Sequence, residues 1–149
     1  MLRRCLAVGL AAALSTVALT HAQSAAPAQA AKPKPGAIVQ GTWLMTTSDG
    51  QDMSGSGQTI LITVTGTTYT QAANGTVVER GSFKLDESKK PMTIDLNIVE
   101  GSDAGQVQLG VLEVVDGVMR GKLTFPGGTT RPTDLAPSEG YITFTAKKQ

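Results

Sequence analysis

Two pairs of carboxylates stand close enough along the chain to suggest acid–base chemistry: Asp49 with Asp52, and Asp86 with Glu87. Paired carboxyl groups hydrolyse glycosidic bonds when their surroundings separate their pKa values, so that one donates a proton while the other activates water or attacks. Both pairs here lie among Gly, Ser and Lys residues that read as exposed turns, where neither desolvation nor water exclusion tunes a carboxyl group. The other familiar catalytic sets are missing. Cys5 and His21 are the chain's only cysteine and histidine, and both fall before a predicted cleavage point. A mature chain without them has no thiolate, disulfide, Ser-His-Asp relay or histidine metal site. The residue types therefore predict a protein that is not an enzyme and uses no cofactor and no metal.

Two loops invite a ligand reading and fail on detail. Val99 to Gly105 contains Glu100 and Asp103 but lacks the alternating ligands and bidentate glutamate of a calcium loop. Pro126-Gly127-Gly128 lacks the lysine and following helix of a phosphate loop and reads as a flexible connection. Arg131, in Arg131-Pro132-Thr133, has two roles open to it: bracing a carboxylate at the rim of the fold, or binding an anion.

The N-terminus reads as an address. Arg3 and Arg4 precede an apolar run from Leu6 to Leu19, and Thr20-His21-Ala22 presents small residues where a signal peptidase cuts. Residues 1–22 are thus a predicted signal peptide, with an uncleaved anchor as the competing reading, and the mature protein is expected to be periplasmic or secreted. Cys5 precedes the apolar run, which argues against a lipid anchor. No later apolar stretch approaches the ~20 residues that span a bilayer. Residues 23–37, rich in Ala, Pro and Lys, read as a flexible linker, and residues 38–149 as one domain with a single core.

From Gly36 onward nine basic residues face twelve acidic ones, a net charge of −3. That balance, without a basic stripe or stacking aromatics, excludes nucleic acid as the expected partner. Apolar residues recur with period two, between turn residues, over 38–47, 58–65, 68–73, 77–85, 92–98, 107–115, 118–125 and 140–147. Eight short strands joined by tight turns predict an antiparallel up-and-down β-barrel, because closure removes the exposed edges of a meander. A β-sandwich is the alternative.

Turn chemistry sets the expected register. Asp116-Gly117 suits a two-residue hairpin, pairing Val114 with Met119 and Gly110 with Leu123 inside, and Glu113 with Arg120 outside. Gly66-Thr67 pairs Val64 with Tyr69 and turns Ile60 and Ile62 inward. At Asn74-Gly75 a plain two-residue loop would drive Arg80, Ser82 and Lys84 into the core. One extra loop residue, or a bulge, instead turns Val77, Gly81, Phe83 and Leu85 inward and carries Glu79 to the inner face near Tyr69.

Gly41-Thr42-Trp43 resembles the Gly-x-Trp signature of lipocalins, in which the tryptophan closes one barrel end beneath a basic side chain from the last strand. Gly41 and Trp43 are then structural. Lys147 or Lys148 would supply the cation, and Lys147 is taken as that partner. Further blocks, in order, are Gly81-Ser82-Phe83-Lys84-Leu85-Asp86, Ser88-Lys89-Lys90-Pro91, Thr93-Ile94-Asp95-Leu96, Leu109-Gly110 and Arg131-Pro132-Thr133. Together they resemble the uncharacterised planctomycete domain, a lipocalin-like family of exported bacterial proteins, over residues 38 to 148. That resemblance implies a lipocalin-like barrel and no particular activity.

Two functions suit such a domain. A binding module would hold a small apolar or amphipathic ligand, lined by Tyr69, Phe83, Phe125 and Phe144, with Glu79 as the polar contact. A filled barrel would instead present its loops and N-terminal tail to a protein partner. The domain has only six aromatics and an aliphatic inner set able to fill a small barrel, so an enclosed void decides between them. A monomer is expected in either case.

Overall fold

The computed structural model describes residues 34–149. The predicted signal peptide (1–22) and the first part of the predicted linker (23–33) lie outside the described residues. Nine antiparallel strands follow in chain order: β1 (Gly41–Ser48), β2 (Gln51–Asp52), β3 (Ile60–Thr65), β4 (Thr68–Ala73), β5 (Thr76–Asp86), β6 (Met92–Glu100), β7 (Val107–Val115), β8 (Val118–Thr124) and β9 (Tyr141–Lys148). Sequential neighbours pair from β3 to β9, β1 pairs with β3, and β9 closes on β1. The result is a closed eight-stranded barrel, with the two-residue β2 appended to the end of β1. Closure between β1 and β9 removes the sandwich alternative, in which two separate sheets would face each other.

Local chemistry sets this meander. Asp116 and Gly117 both hold positive φ, 50° and 74°, as a type I′ turn requires. The pairs predicted from that turn all form: Val114 with Met119, Leu112 with Gly121, Gly110 with Leu123, and Glu113 with Arg120. The last two face solvent, with Arg120 Nη1 at 3.8 Å from Glu113 Oε1. Val64 pairs with Tyr69 as expected. Inside, Trp43, Val64, Phe83, Met92, Ile94 and Leu112 are among the buried core residues.

Three boundaries differ from the sequence reading. Residues 37–39 form a short 3-10 helix (Ala37–Val39) rather than the start of a strand, and Lys34, within the expected linker, is tied to it, its carbonyl accepting from the Ala37 amide at 2.9 Å. The reason lies in Trp43, which is fully buried and whose indole Nε1–H needs an acceptor; the helix delivers the Val39 carbonyl at 2.8 Å. Asp49-Gly50 makes a further tight turn, φ 49° and 77°, and so adds β2.

The third difference is at Val77. Asn74-Gly75 is a plain two-residue turn pairing Ala73 with Thr76, and the register shifts only afterwards, with Gln71 opposite Glu79 but Ala72 opposite Val77. The bulge at Val78 therefore rescues Glu79, Gly81 and Phe83 for the interior but leaves Val77 outside, 42% exposed.

The segment from 125 to 140 crosses the outer face of β6 to β9. Arg131 Nη1 donates to the carbonyls of Ile94 and Gly110 at 2.8 and 2.9 Å, and Nη2 donates to Asp95 Oδ1. Lys122, only 4% exposed, reaches Asp134 Oδ1 at 3.1 Å and stands 5.0 Å from the Tyr141 ring centre. The glycines that read as a flexible connection are pinned as well: the Gly127 amide donates to Val107 O at 2.9 Å. Beneath this segment Val111 and Pro132 are buried although they lie outside the barrel.

Candidate ligand-binding cavity

Strand alternation turns mainly aliphatic and aromatic side chains toward the barrel interior. The inner wall lines a cavity of ≈ 420 Å³ that opens to solvent. Its depth is walled by aliphatic side chains such as Ile62, Val64, Leu112 and Met119. Below them Trp43 and Val39 plug the end of the barrel. The other end, reached by Glu79, Asp103, Phe125 and Pro126, is the mouth.

Glu79 is the carboxylate set into the strand wall. Two register shifts flank it: one in β5 against β4, and one between Arg80 and Gly81 where β6 accommodates an extra residue. Bulges re-aim side chains in this way near functional sites. Glu79 Oε1 accepts the Tyr69 hydroxyl at 2.8 Å. Burial, and then the hydrogen bond and charge of Glu79, push the Tyr69 phenol above its usual value, so it stays protonated as a donor.

Tyr69 is held by Gly81, directly opposite it on β5. A Cβ at Gly81 would lie 2.6 Å from Tyr69 Cε1 and would also strike the Asn97 carbonyl. The ring packs where a side chain is missing, which fixes the hydroxyl toward Glu79.

No family model, curated protein or solved structure matches the chain. Its chemistry is therefore read from the cavity and its surroundings.

Of the residues singled out in the sequence, Tyr69, Glu79, Phe83 and Phe125 all line the cavity. Tyr69 and Phe83 are buried at 6% and 8% exposure, whereas Phe125, 55% exposed, stands at the mouth beyond β8. Gly41 and Trp43 belong to the closed end. Arg131 is absent from the lining: it braces Asp95 on the outer face, in keeping with the first of its two readings.

Lys147 is a correction. It pairs with Leu44 and Val118, while Lys148 lies opposite Trp43 with Nζ 5.5 Å from the ring centre. Strand alternation decides this, since only every second residue of β9 shares the inner face with Trp43.

Sequence reasoning missed Gln71, Gln108 and Asp103, which also line the cavity. Gln71 was within reach, being two residues beyond Tyr69 on the same face. Gln108 Nε2 donates to Thr124 O at 2.9 Å, a contact set by neighbouring strands. Asp103 sits in the β6–β7 loop, where no strand period indicates direction.

The carboxylate pairs serve turns. Asp52 Oδ1 accepts from the Ser54 amide at 2.8 Å, Asp86 Oδ1 from the Ser88 hydroxyl at 2.6 Å, and Asp49 Oδ1 from the Thr143 amide at 2.9 Å. The Ser54 amide holds Asp52, and the Ser88 hydroxyl holds Asp86, below the usual carboxylate range, the opposite of what a proton donor needs. Among the described residues no group of three or more His, Cys, Asp or Glu is placed to hold a metal ion.

Proposed function

We propose that this protein is an exported, lipocalin-like binding protein that holds a small apolar or amphipathic molecule in its barrel. The observation that carries the reading is the ≈ 420 Å³ cavity, apolar in depth, with a few polar groups gathered toward its mouth. Small-molecule sites have this composition and size. A barrel used only as a scaffold gains nothing from the open volume, since filling it would add dispersion contacts. This weighs against the filled-barrel interaction module. The ordered sequence blocks support membership of the uncharacterised planctomycete domain family, and the leader supports export. No catalytic role is assigned: the one hydroxyl–carboxylate contact found in the lining, Tyr69 with Glu79 at 2.8 Å, involves a phenol pushed above its usual pKa and so held as a hydrogen-bond donor rather than as an activated nucleophile.

The test is saturable binding of the neutral fluorophore phenyl-naphthylamine to the chain beginning at Gln23, the expected mature N-terminus. Fluorescence should rise on binding and saturate. Leu96→Trp, which places an indole into the cavity wall, should abolish the signal while circular dichroism shows the fold intact. A folded wild-type protein that gives no saturable signal would overturn the reading.

A further inference from the structure

The lining of the cavity has a definite electrostatic sign. Among the described residues it contains two carboxylates, Glu79 in the wall and Asp103 at the mouth, and no Lys, Arg or His. Three of the domain's nine basic residues are engaged elsewhere: Arg131 and Lys122 hold the crossing segment on the outer face, and Lys148 stands over Trp43 at the closed end. Of the lining's neutral donors, two are engaged, whereas Gln71, opposite Glu79, offers an uncharged amide. The Tyr69 hydroxyl points its proton at Glu79 Oε1, and Gln108 spends an amide proton on Thr124 O. A ligand carboxylate or phosphate entering here would meet like charge in surroundings of low polarity, where repulsion is poorly screened.

We propose that the cavity selects cationic amphiphiles, an apolar tail with a protonated amine head, and that Glu79 is the head-group contact with Asp103 adding attraction at the mouth. This rests on the binding reading given above. Glu79 Oε1 takes the tyrosine hydroxyl, which orients the carboxylate and leaves Oε2 for an ammonium N–H. The depth of the cavity below Glu79 is aliphatic and suits the tail. The two bulges flanking Glu79 place its charge where the apolar wall meets the opening, as an amphiphile held tail-first requires. The β6–β7 loop packs against the bulged strand, with Gly101 so close to Glu79 that an added Cβ would stand 3.4 Å from its Cα. Asp103 follows two residues later.

The experiment displaces bound phenyl-naphthylamine at neutral pH with octylammonium, octanoate and octanol, three ligands with the same tail. Octylammonium should displace the probe at concentrations about tenfold lower than octanoate, the order expected for one charge-assisted hydrogen bond. Glu79→Gln retains an acceptor for Tyr69 and should still bind the probe, but should lose the amine preference. Asp103→Asn should reduce it by a smaller factor, and Glu113→Gln, on the outer face, should leave it unchanged. Octanoate displacing as well as octylammonium, or a preference that survives both Glu79→Gln and Asp103→Asn, would overturn amine selection while leaving the binding cavity standing. Failure of the probe to bind the folded wild type would overturn both readings.

Discussion

Lys148 holds its ammonium 5.5 Å from the centre of the Trp43 indole, from the position directly opposite Trp43 where β9 closes on β1. One pair of residues thus joins the first strand to the last and caps the closed end of the barrel. The indole supplies buried area and a hydrogen bond to Val39; the lysine adds a cation over the ring face.

Trp43→Ala should therefore cost roughly 3 to 5 kcal/mol in urea unfolding, because a closed barrel cannot collapse into the space left behind. That is a large share of the ~5 to 15 kcal/mol that stabilises a typical domain. Lys148→Met should cost only about 0.5 to 1 kcal/mol, since the ammonium is exposed. Lys147→Met, on the other face of the strand, should stay within about 0.5 kcal/mol of wild type. A Lys147 variant weaker than the Lys148 variant would reverse the assignment.

Gly81→Ala should destabilise by about 1 to 3 kcal/mol, because the new methyl group must displace the Tyr69 ring and the Asn97 carbonyl. Movement of Tyr69 should also release Glu79, so probe affinity is expected to change together with stability. Gly55→Ala is the control: nothing lies within 4 Å of its Cβ position, and its urea midpoint should not move.

The Lys122–Asp134 pair gives an acid-sensitive contribution of known sign. The Lys122 hydrogen bond, then the Ala136 amide and the Lys122 charge, hold the Asp134 carboxyl below its ordinary value of 3.8. A lowered folded-state pKa stabilises the fold above the unfolded value, and that contribution is lost as pH falls through the folded value. The stability difference between wild type and Asp134→Asn should be constant at neutral pH and shrink below about pH 4. Lys122→Met, which replaces a buried cation by an apolar chain of similar length, should be neutral or stabilising, whereas Asp134→Asn leaves that cation without its carboxylate and should destabilise. Urea midpoints of both variants at neutral and acid pH check the pattern.

Much of the wall was legible because strand alternation and turn chemistry are local. Asp116-Gly117 alone placed four residue pairs, and an inward Glu79 followed once charged Arg80 and Lys84 were kept out of the core. Val77 was misplaced because a bulge leaves no mark on composition: a shift at the turn and one at Val78 give the same parity from Glu79 onward and differ only before it. Lys147 and Lys148 have identical chemistry, so only the register of β9 against β1, fixed by the bulge between Met45 and Thr47, separates them.

The sequence by itself determined the antiparallel meander, the inward set of β3, β7 and β8, and the presence of a single carboxylate in the strand walls, because each depends on neighbours a few residues apart. Tertiary structure decided the rest. Whether the barrel is filled depends on strand tilt and closure, which sum over all eight strands. That Asp103 reaches the mouth, that Arg131 and Lys122 lie outside, and that no cation among the described residues lines the cavity are consequences of how loops fold back over the barrel. Such contacts join residues far apart in the chain, and no local pattern encodes them.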